Sequence, residues 1–339
     1  MKKIVVTGGL GYIGSHVTVE LQEQGYEVVV IDNLSNSSVE VLENIKRITG
    51  KLPLFEQIDV RVKDKVSDFF QKHDDIAGII HFAAFKAVGE SVENPLSYYE
   101  NNINSLVYIL QNIQDKDVSF IFSSSCTVYG QADELPITES APTKPAESPY
   151  GNTKQIGEEI IQDVCKVSPD LKAIALRYFN PIGAHKSAEI GELPLGVPQN
   201  LVPFITQTVA GLRDELSVFG DDYPTRDGTA IRDYIHVVDL AKAHVAALKR
   251  LLDDKVESNY EVFNVGTGTG STVLEVVQAF EKSTGKKINY KIVPRRSGDV
   301  IAAYAQTDKV NDTLGWKTQF SLEDSLSSAW EWEKKVRGI

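Results

Sequence analysis

Short apolar runs, closed off by glycine and separated by stretches of helical spacing, dominate the first half of the chain. Ile4-Val5-Val6 stops at Thr7-Gly8-Gly9. Ile13, Val17 and Leu21 then recur at helical spacing as far as Gly25, and Val28-Val29-Val30-Ile31 forms a second run ending on Asp32. Continuous apolar runs mark strands buried on both faces, and an amphipathic stretch between two of them makes a βαβ unit with parallel strands. The rhythm continues with strands expected at 55–59, 78–82, 119–122 and 173–177, and helices at 63–72, 98–115 and 150–167. It fails after Asn180-Pro181. Residues 181–232 are rich in Pro and Gly, with one helical stretch at 204–212. A helix is expected over 235–252 after a short extended piece, and a strand at 261–265 as the last of the main sheet. The remainder predicts a helix at 273–284, a strand at 287–293 and a final helix after Ser321. The fold class expected is α/β. A doubly wound, Rossmann-like parallel-sheet domain takes residues 1–180 and approximately 233–268. A smaller, discontinuous α/β domain takes approximately 181–232 and 269–339.

Composition narrows the function classes. A length of 339 residues suits two domains, and 42% hydrophobic with 24% charged residues excludes wholesale disorder. The net charge of −12 gives no basic footprint for nucleic acid, so an anionic ligand would need a local positive site. Two cysteines, Cys126 and Cys165, cannot build a disulfide framework and point to a reducing, cytoplasmic location. No stretch approaches the ~18 apolar residues of a membrane span. Glycines 8, 9, 11 and 14 interrupt the opening apolar run before it could serve as a signal sequence. The six histidines show no ligand spacing with one another or with cysteine, so no metal is expected.

Gly8-x-x-Gly11-x-x-Gly14 lies between the first strand and the first helix. Glycines there let backbone N–H groups approach a pyrophosphate, which rests on a helix N-terminus carrying about half a positive charge. Asp32 ends the second strand at roughly the ~20-residue distance of a ribose-binding acid. Its carboxylate can accept from ribose hydroxyls and would repel a 2′-phosphate, and no Arg follows it directly, so NAD is expected over NADP. This glycine spacing is that of the extended short-chain dehydrogenases/reductases.

Tyr150-x-x-x-Lys154 opens a helix, which puts both side chains on one face. A free Tyr has a pKa near ~10, too high for a base at neutral pH. A nearby ammonium and a cationic nicotinamide both favour the phenolate. Ser123-Ser124-Ser125 ends a strand, and a Ser hydroxyl there can hold a substrate oxygen and relay its proton.

With these residues in view, the chain resembles the UDP-glucose 4-epimerases, galactose-pathway members of that superfamily, over nearly its full length. The resemblance rests on Thr7-Gly8-Gly9-x-Gly11-Tyr12-Ile13-Gly14-Ser15-His16, Asp32-Asn33-Leu34-Ser35-Asn36, and Lys86-Ala87-Val88-Gly89-Glu90-Ser91. It also rests on Tyr98-Tyr99-x-Asn101-Asn102, Ser123-Ser124-Ser125-x-Thr127-Val128-Tyr129-Gly130, Arg177-Tyr178-Phe179-Asn180-Pro181 and Arg232-Asp233-Tyr234-Ile235-His236. It implies Tyr150 as base, Lys154 as its partner and Ser125 as the catalytic serine. Tyr12, Ile13, Asp32, Asn33, Asp59, Val60, Phe82, Lys86, Asn101 and Tyr178 match positions that contact NAD. Phe179, Asn180, Asn200, Arg232, Arg296 and Asp299 match positions near the UDP-sugar. Ala84, Phe85 and Cys126 depart from the usual residues without removing a chemical group.

The reaction implied interconverts UDP-glucose and UDP-galactose. C4 is oxidised transiently by bound NAD, the 4-keto sugar turns over, and the hydride returns to the opposite face. The resemblance also implies a homodimer built on helices 98–115 and 150–167, with Val107, Leu110 and Ile113 of one and Ile156, Ile160 and Ile161 of the other in excess of what a sheet needs. It places a gate beside the sugar's C2 substituent at Ala303. A residue that small should admit UDP-N-acetylglucosamine and UDP-N-acetylgalactosamine, whereas a one-residue slip would put Tyr304 in the gate and close it. Two rivals fit less well. A nucleotide-sugar 4,6-dehydratase needs an acidic pair where this chain has Ser125-Cys126-Thr127, and a non-catalytic NAD-binding regulator would be expected to lack Tyr150 or Lys154.

Overall fold

In the computed structural model, which describes residues 1–296 and 299–339, the apolar runs become strands and the helical stretches become layers on either side of them. β1 (Lys3–Thr7) leads into α1 (Tyr12–Glu23), β2 (Glu27–Asp32) into α2 (Glu40–Thr49), and β3 (Leu54–Gln57) into α3 (Lys63–Lys72). β4 (Ile76–His81) is followed by the short α4 (Val88–Glu93) and by α5 (Pro95–Ile113). β5 (Ser119–Ser123) is followed by a 3-10 turn (Cys126–Tyr129) and α6 (Pro149–Val167). β6 (Lys172–Tyr178) leads to β7 (Asn180–Ile182), α7 (Leu201–Val209) and β8 (Leu216–Phe219). β9 (Ile231–His236), α8 (Val237–Leu252) and β10 (Tyr260–Val265) come next. The chain ends with β11 (Gly270–Thr272), α9 (Val273–Thr284), β12 (Tyr290–Val293), β13 (Ala302–Ala303), α10 (Asp308–Leu314) and α11 (Leu322–Arg337).

Seven parallel strands form the main sheet in the order β10-β6-β5-β4-β1-β2-β3, a Rossmann-like α/β fold. Strand alternation explains why the runs had no polar face. Ile4, Val6, Val28, Val30, Ile80 and Ile121 point to one side, where α1, α2 and α8 cover them. Val5, Val29, Ile31, Ile79, Phe120 and Phe122 point to the other, under α3, α5 and α6. A third apolar core is separate from the sheet. It gathers Ile205 of α7, Val218 of β8, Phe280 of α9 and Trp330 of α11.

Several elements differ from expectation. Ile235 and His236 belong to β9 rather than to the helix, which begins at Val237 because the His236 side chain caps it by accepting from the Val238 N–H. α5 starts earlier, at Pro95, a residue suited to a first helical position. α2 was not expected, although Val41, Leu42, Ile45 and Ile48 recur at helical spacing and turn one face to the core. The division expected near 232/233 falls inside β9, since Arg232 and Asp233 both pair within one small sheet with β11. Val310 of α10 and Trp316 pack in the core of the main sheet, so this part of the C-terminal region does not sit with the third core.

Candidate active site

The strand order of the main sheet reverses at β1 and β4, and a cleft of about 940 Å³ opens over the carboxyl ends of those strands. Gly8 adopts φ +68°, and a Cβ there would lie 3.0 Å from the Ala83 nitrogen. A Cβ on Gly14 would fall 2.2 Å from the Gly8 carbonyl oxygen. Both glycines therefore let the loop close tightly over the start of α1. That helix has no capping side chain at Gly11 and no acidic residue in its first turn, so its positive end is left for a ligand anion. Asp32 Oδ2 accepts from the Leu10 N–H at 3.1 Å. Its Oδ1 accepts from the Leu34 N–H at 2.9 Å and the Ser37 hydroxyl at 2.8 Å. The carboxylate thus ties the glycine loop to the loop after β2, while still offering acceptor capacity to the cleft. Arg61 grips Asp59 through Nε and a terminal nitrogen and holds its carboxyl below the usual range.

Every position expected to contact the cofactor lines this cleft: Gly8, Gly11, Tyr12, Ile13, Gly14, Asp32, Asn33, Asp59, Val60, Phe82, Lys86, Asn101, Tyr150, Lys154 and Tyr178. Ser35, Asn36 and Ser123 line it too, without having been singled out. The first two lie in the run that follows Asp32, which was the available signal. The donors, the glycine cradle and the bare helix end together fit a dinucleotide.

At the inner end of the cleft, α6 presents Tyr150 and Lys154. Ser148 caps this helix by accepting from the Gly151 N–H at 3.2 Å, and Pro149 occupies the first turn, so the Tyr150 phenol is delivered from a fixed helix start. Burial and then the neighbouring Tyr178 push that phenol well above its usual value, and the nearby Ser125 hydroxyl pulls the other way. Lys154 makes no hydrogen bond to the phenol. Its Nζ donates to the Ser123 carbonyl at 2.7 Å, stands 5.9 Å from the Tyr150 ring centroid, and is itself drawn down to about 8 by burial. Ser125 is the extended residue before the 3-10 turn, its Oγ accepting from the Thr127 N–H at 3.2 Å. The Tyr178 and Ser123 hydroxyls share a 2.8 Å hydrogen bond beside them.

A second group gathers around Arg232 and lies outside the lining of that cleft. Arg232 reaches Asp299 Oδ1 at 3.4 Å, and Arg296 Nε reaches its Oδ2 at 3.0 Å, so two guanidinium groups converge on one carboxylate. Arg295 turns away, to Asp222 at 2.6 Å and over the Tyr223 ring. Ala303 lies opposite Arg232 in the β13–β9 pairing and packs in one buried cluster with Phe179, Val128 and Tyr129. Tyr304 is on the other side of its strand, its ring close to where a Cβ of Gly270 would stand. Asn180 opens β7 opposite Tyr234 of β9. Cys126 lies in the field of both Arg232 and Tyr150 and so joins the two groups. Asn200, just before α7, donates to Glu192 Oε1 at 2.6 Å, and Lys86 meets the same oxygen at 3.1 Å. Glu192 went unnoticed because nothing in its Pro- and Gly-rich surroundings marks it.

Among the described residues, no group of three or more His, Cys, Asp or Glu side chains is placed to hold a metal ion, and no helix is long and apolar enough to cross a membrane.

Comparison with known proteins places this geometry. The family model described as GDP-mannose 4,6 dehydratase matches residues 5–329. The UDP-glucose 4-epimerase of Mus musculus is 47% identical, over 99% of this chain and 97% of its own. The crystal structure of a UDP-glucose 4-epimerase from Stenotrophomonas maltophila, with bound NAD and formylated UDP-arabinopyranose, superposes with TM-score 0.95 at 47% identity, covering all of both chains. That of the Bifidobacterium longum enzyme, in complex with NAD+ and UDP, gives 0.93 at 45% identity, covering 99% of each chain.

Proposed function

This chain belongs to the UDP-glucose 4-epimerase family, and from that premise we propose how its residues divide the reaction among them. The protein is an NAD-dependent enzyme that interconverts UDP-glucose and UDP-galactose. The observation that carries the assignment of roles is that Tyr150 and Lys154 line the dinucleotide-shaped cleft, with the Ser125 hydroxyl acting on the Tyr150 phenol from beside it.

Bound NAD supplies the hydride acceptor for C4 of the hexose and, once reduced, the hydride donor. Tyr150 takes the proton of the 4-hydroxyl and later returns it. Ser125, whose hydroxyl lies near the phenol, holds the same substrate oxygen and keeps the proton path short. Lys154 supplies a positive charge in a site where burial makes each charge count for more. Gly8, Gly11, Gly14 and the first turn of α1 hold the pyrophosphate of the cofactor, with Asp32 on its adenosine ribose. Arg232 and Arg296 bind the UDP phosphates, Asp299 aligns the pair, and Phe179, Asn180 and Asn200 border the uridine sugar. Binding energy at the diphosphate keeps the oxidised sugar in the site while it turns. Although the family model takes its description from a dehydratase, the 3-10 turn after Ser125 carries no carboxylate to serve as the extra acid that elimination needs.

Ala303 leaves room beside the sugar, and the orientation of Tyr304 away from Phe179 supports the open gate, so UDP-N-acetylglucosamine and UDP-N-acetylgalactosamine are substrates as well. The enzyme is a cytoplasmic homodimer joined through α5 and α6. Ile103, Val107, Ile156 and Ile160 remain partly open on those helices, whereas Leu110, Ile113 and Ile161 are used by the protein's own core. The main sheet with its helices forms the NAD-binding unit, and the third core supports the UDP-sugar unit. A coupled assay that detects UDP-glucose formed from UDP-galactose tests the reaction, and the same assay on Tyr150→Phe tests the role of the base.

A further inference from the structure

Behind the reaction centre, out of reach of the cleft, lies a buried ion pair that the chemistry above does not use. Glu158 follows Lys154 by one helical turn and Tyr150 by two, on the same face of α6. Its carboxylate accepts from Arg177 Nε at 2.9 and 3.2 Å and from a terminal Arg177 nitrogen at 2.5 Å. The same carboxylate accepts from the Ser124 hydroxyl at 2.5 Å. Glu158 and Arg177 are each only 7% exposed and Ser124 is fully buried. Arg177 precedes Tyr178 on β6 and donates to the Tyr129 hydroxyl at 2.9 Å, at the end of the turn that begins beside Ser125.

Three elements that carry the reaction centre therefore meet at one carboxylate. α6 brings Tyr150 and Lys154, the end of β5 brings Ser123 to Ser125, and β6 brings Tyr178. We propose that the Glu158–Arg177 pair is a positioning element of the epimerase reaction, holding the strand end that carries Ser125 in register with the helix that carries Tyr150 and Lys154. The proposal rests on the roles given above to those three residues. It explains why an ion pair is kept where burial is costly and where well-packed apolar residues would often do as well for stability alone.

The pair also acts through charge. Glu158 raises the affinity of Lys154 for its proton, against the burial that lowers it. The other groups facing Lys154 are the Ser123 carbonyl and Phe122 ring from β5, the Tyr150 ring from its own helix, and His81 of β4, which the ammonium keeps neutral together with burial. Those facing Glu158 are Arg177 of β6, Ser124 after β5, Tyr129 of the 3-10 turn, and Tyr260 of β10. Among the formal charges, Glu158 alone supports the protonated lysine, so its loss should let Lys154 give up its proton at lower pH.

The test uses three variants of the full-length holoenzyme: Ser124→Ala, Glu158→Gln and Tyr150→Phe. Ser124→Ala removes the tether to the strand end without leaving a charge unpaired. Glu158→Gln removes the charge. Both should lower kcat by about tenfold with KM for UDP-galactose held within about threefold, since misplacing Ser125 and Tyr150 weakens contacts to the transition state more than substrate binding. The alkaline limb of the kcat–pH profile should also move to lower pH in Glu158→Gln. Parent-like kcat in Ser124→Ala overturns the proposal, and so does an unmoved alkaline limb in a folded Glu158→Gln, because a pair that only holds the fold would move neither. If Glu158→Gln yields no folded holoenzyme, Ser124→Ala decides alone. Tyr150→Phe separates the two levels: parent-like turnover there would overturn the assignment of the base itself.

Discussion

Tyr150 sits where its proton is hard to lose, and that tension sets the strongest expectations at the scale of single residues. Burial pushes its phenol up and the Ser125 hydroxyl pulls the other way, so the base role proposed for it calls for positive charge nearby as well. Tyr150→Phe should lower turnover by about 10²–10⁴ while leaving UDP-sugar binding largely intact, measured as kcat and as ligand affinity on the same preparation. Lys154 gives a pH expectation with a definite sign. Its proton is bound below about 8 and lost above it, so kcat should decline as pH rises through that region, and a profile flat to pH 10 would contradict the role of its charge. Asp32 joins two loops through three hydrogen bonds and, in the role proposed for it, also holds the cofactor ribose. Asp32→Ala should therefore weaken NAD binding by tenfold or more, as roughly 1.5–3 kcal/mol for charged hydrogen bonds implies, and narrow its advantage over NADP. Direct titration with both cofactors reads this, and parent protein that bound NADP as well as NAD would remove the argument. At the gate, Ala303→Tyr should abolish turnover of the N-acetylated sugars and spare UDP-galactose. The parent should handle both kinds within about tenfold, or about 1.4 kcal/mol in transition-state binding.

The elements explain why so much of this was readable from residue order. Parallel strands covered on both faces leave uninterrupted apolar runs, and each run here ends where the chain turns toward the cleft, at Thr7, Asp32, His81 and Ser123. Positions that line the cleft could therefore be named before any coordinates, because sheet topology brings strand ends together. The substrate side was less legible. β13 is two residues long, and Asn200 and Glu192 lie in a stretch without periodicity, so no local pattern announces them. The expected start of the helix at 235 failed for a related reason, because an apolar strand running straight into an apolar helix shows no change of period. What no pattern could show is how closely α6 lies on β5. A Cβ on Gly157 would meet the Phe122 ring at 2.7 Å, so a helix that presents Tyr150 and Lys154 depends on a missing methyl group. Gly157→Ala should destabilise the protein by about 1–3 kcal/mol, seen as a lower Tm, and should lower kcat by shifting both side chains.

At the scale of the whole molecule, two apolar layers hold the seven-stranded sheet, a third core supports the smaller unit, and Arg232 and Cys126 stand where the two kinds of site meet. Ile103, Val107 and Ile156 stay half-exposed on α5 and α6, and the homodimer proposed through these helices would be an isologous pairing of two copies. Light scattering at micromolar concentration should give twice the 37.4 kDa of one chain, and a mass near that of one chain would contradict the dimer. The cleft, the Tyr150 centre and the converging arginines add up to an epimerase only if the sugar's C4 configuration changes and nothing else does. Purified protein incubated with UDP-galactose, with the sugar nucleotides separated and identified, should yield UDP-glucose and approach the same mixture when started from either sugar. UDP-galactose recovered unchanged by folded, NAD-containing protein, or converted to a 4-keto-6-deoxy sugar, would contradict it.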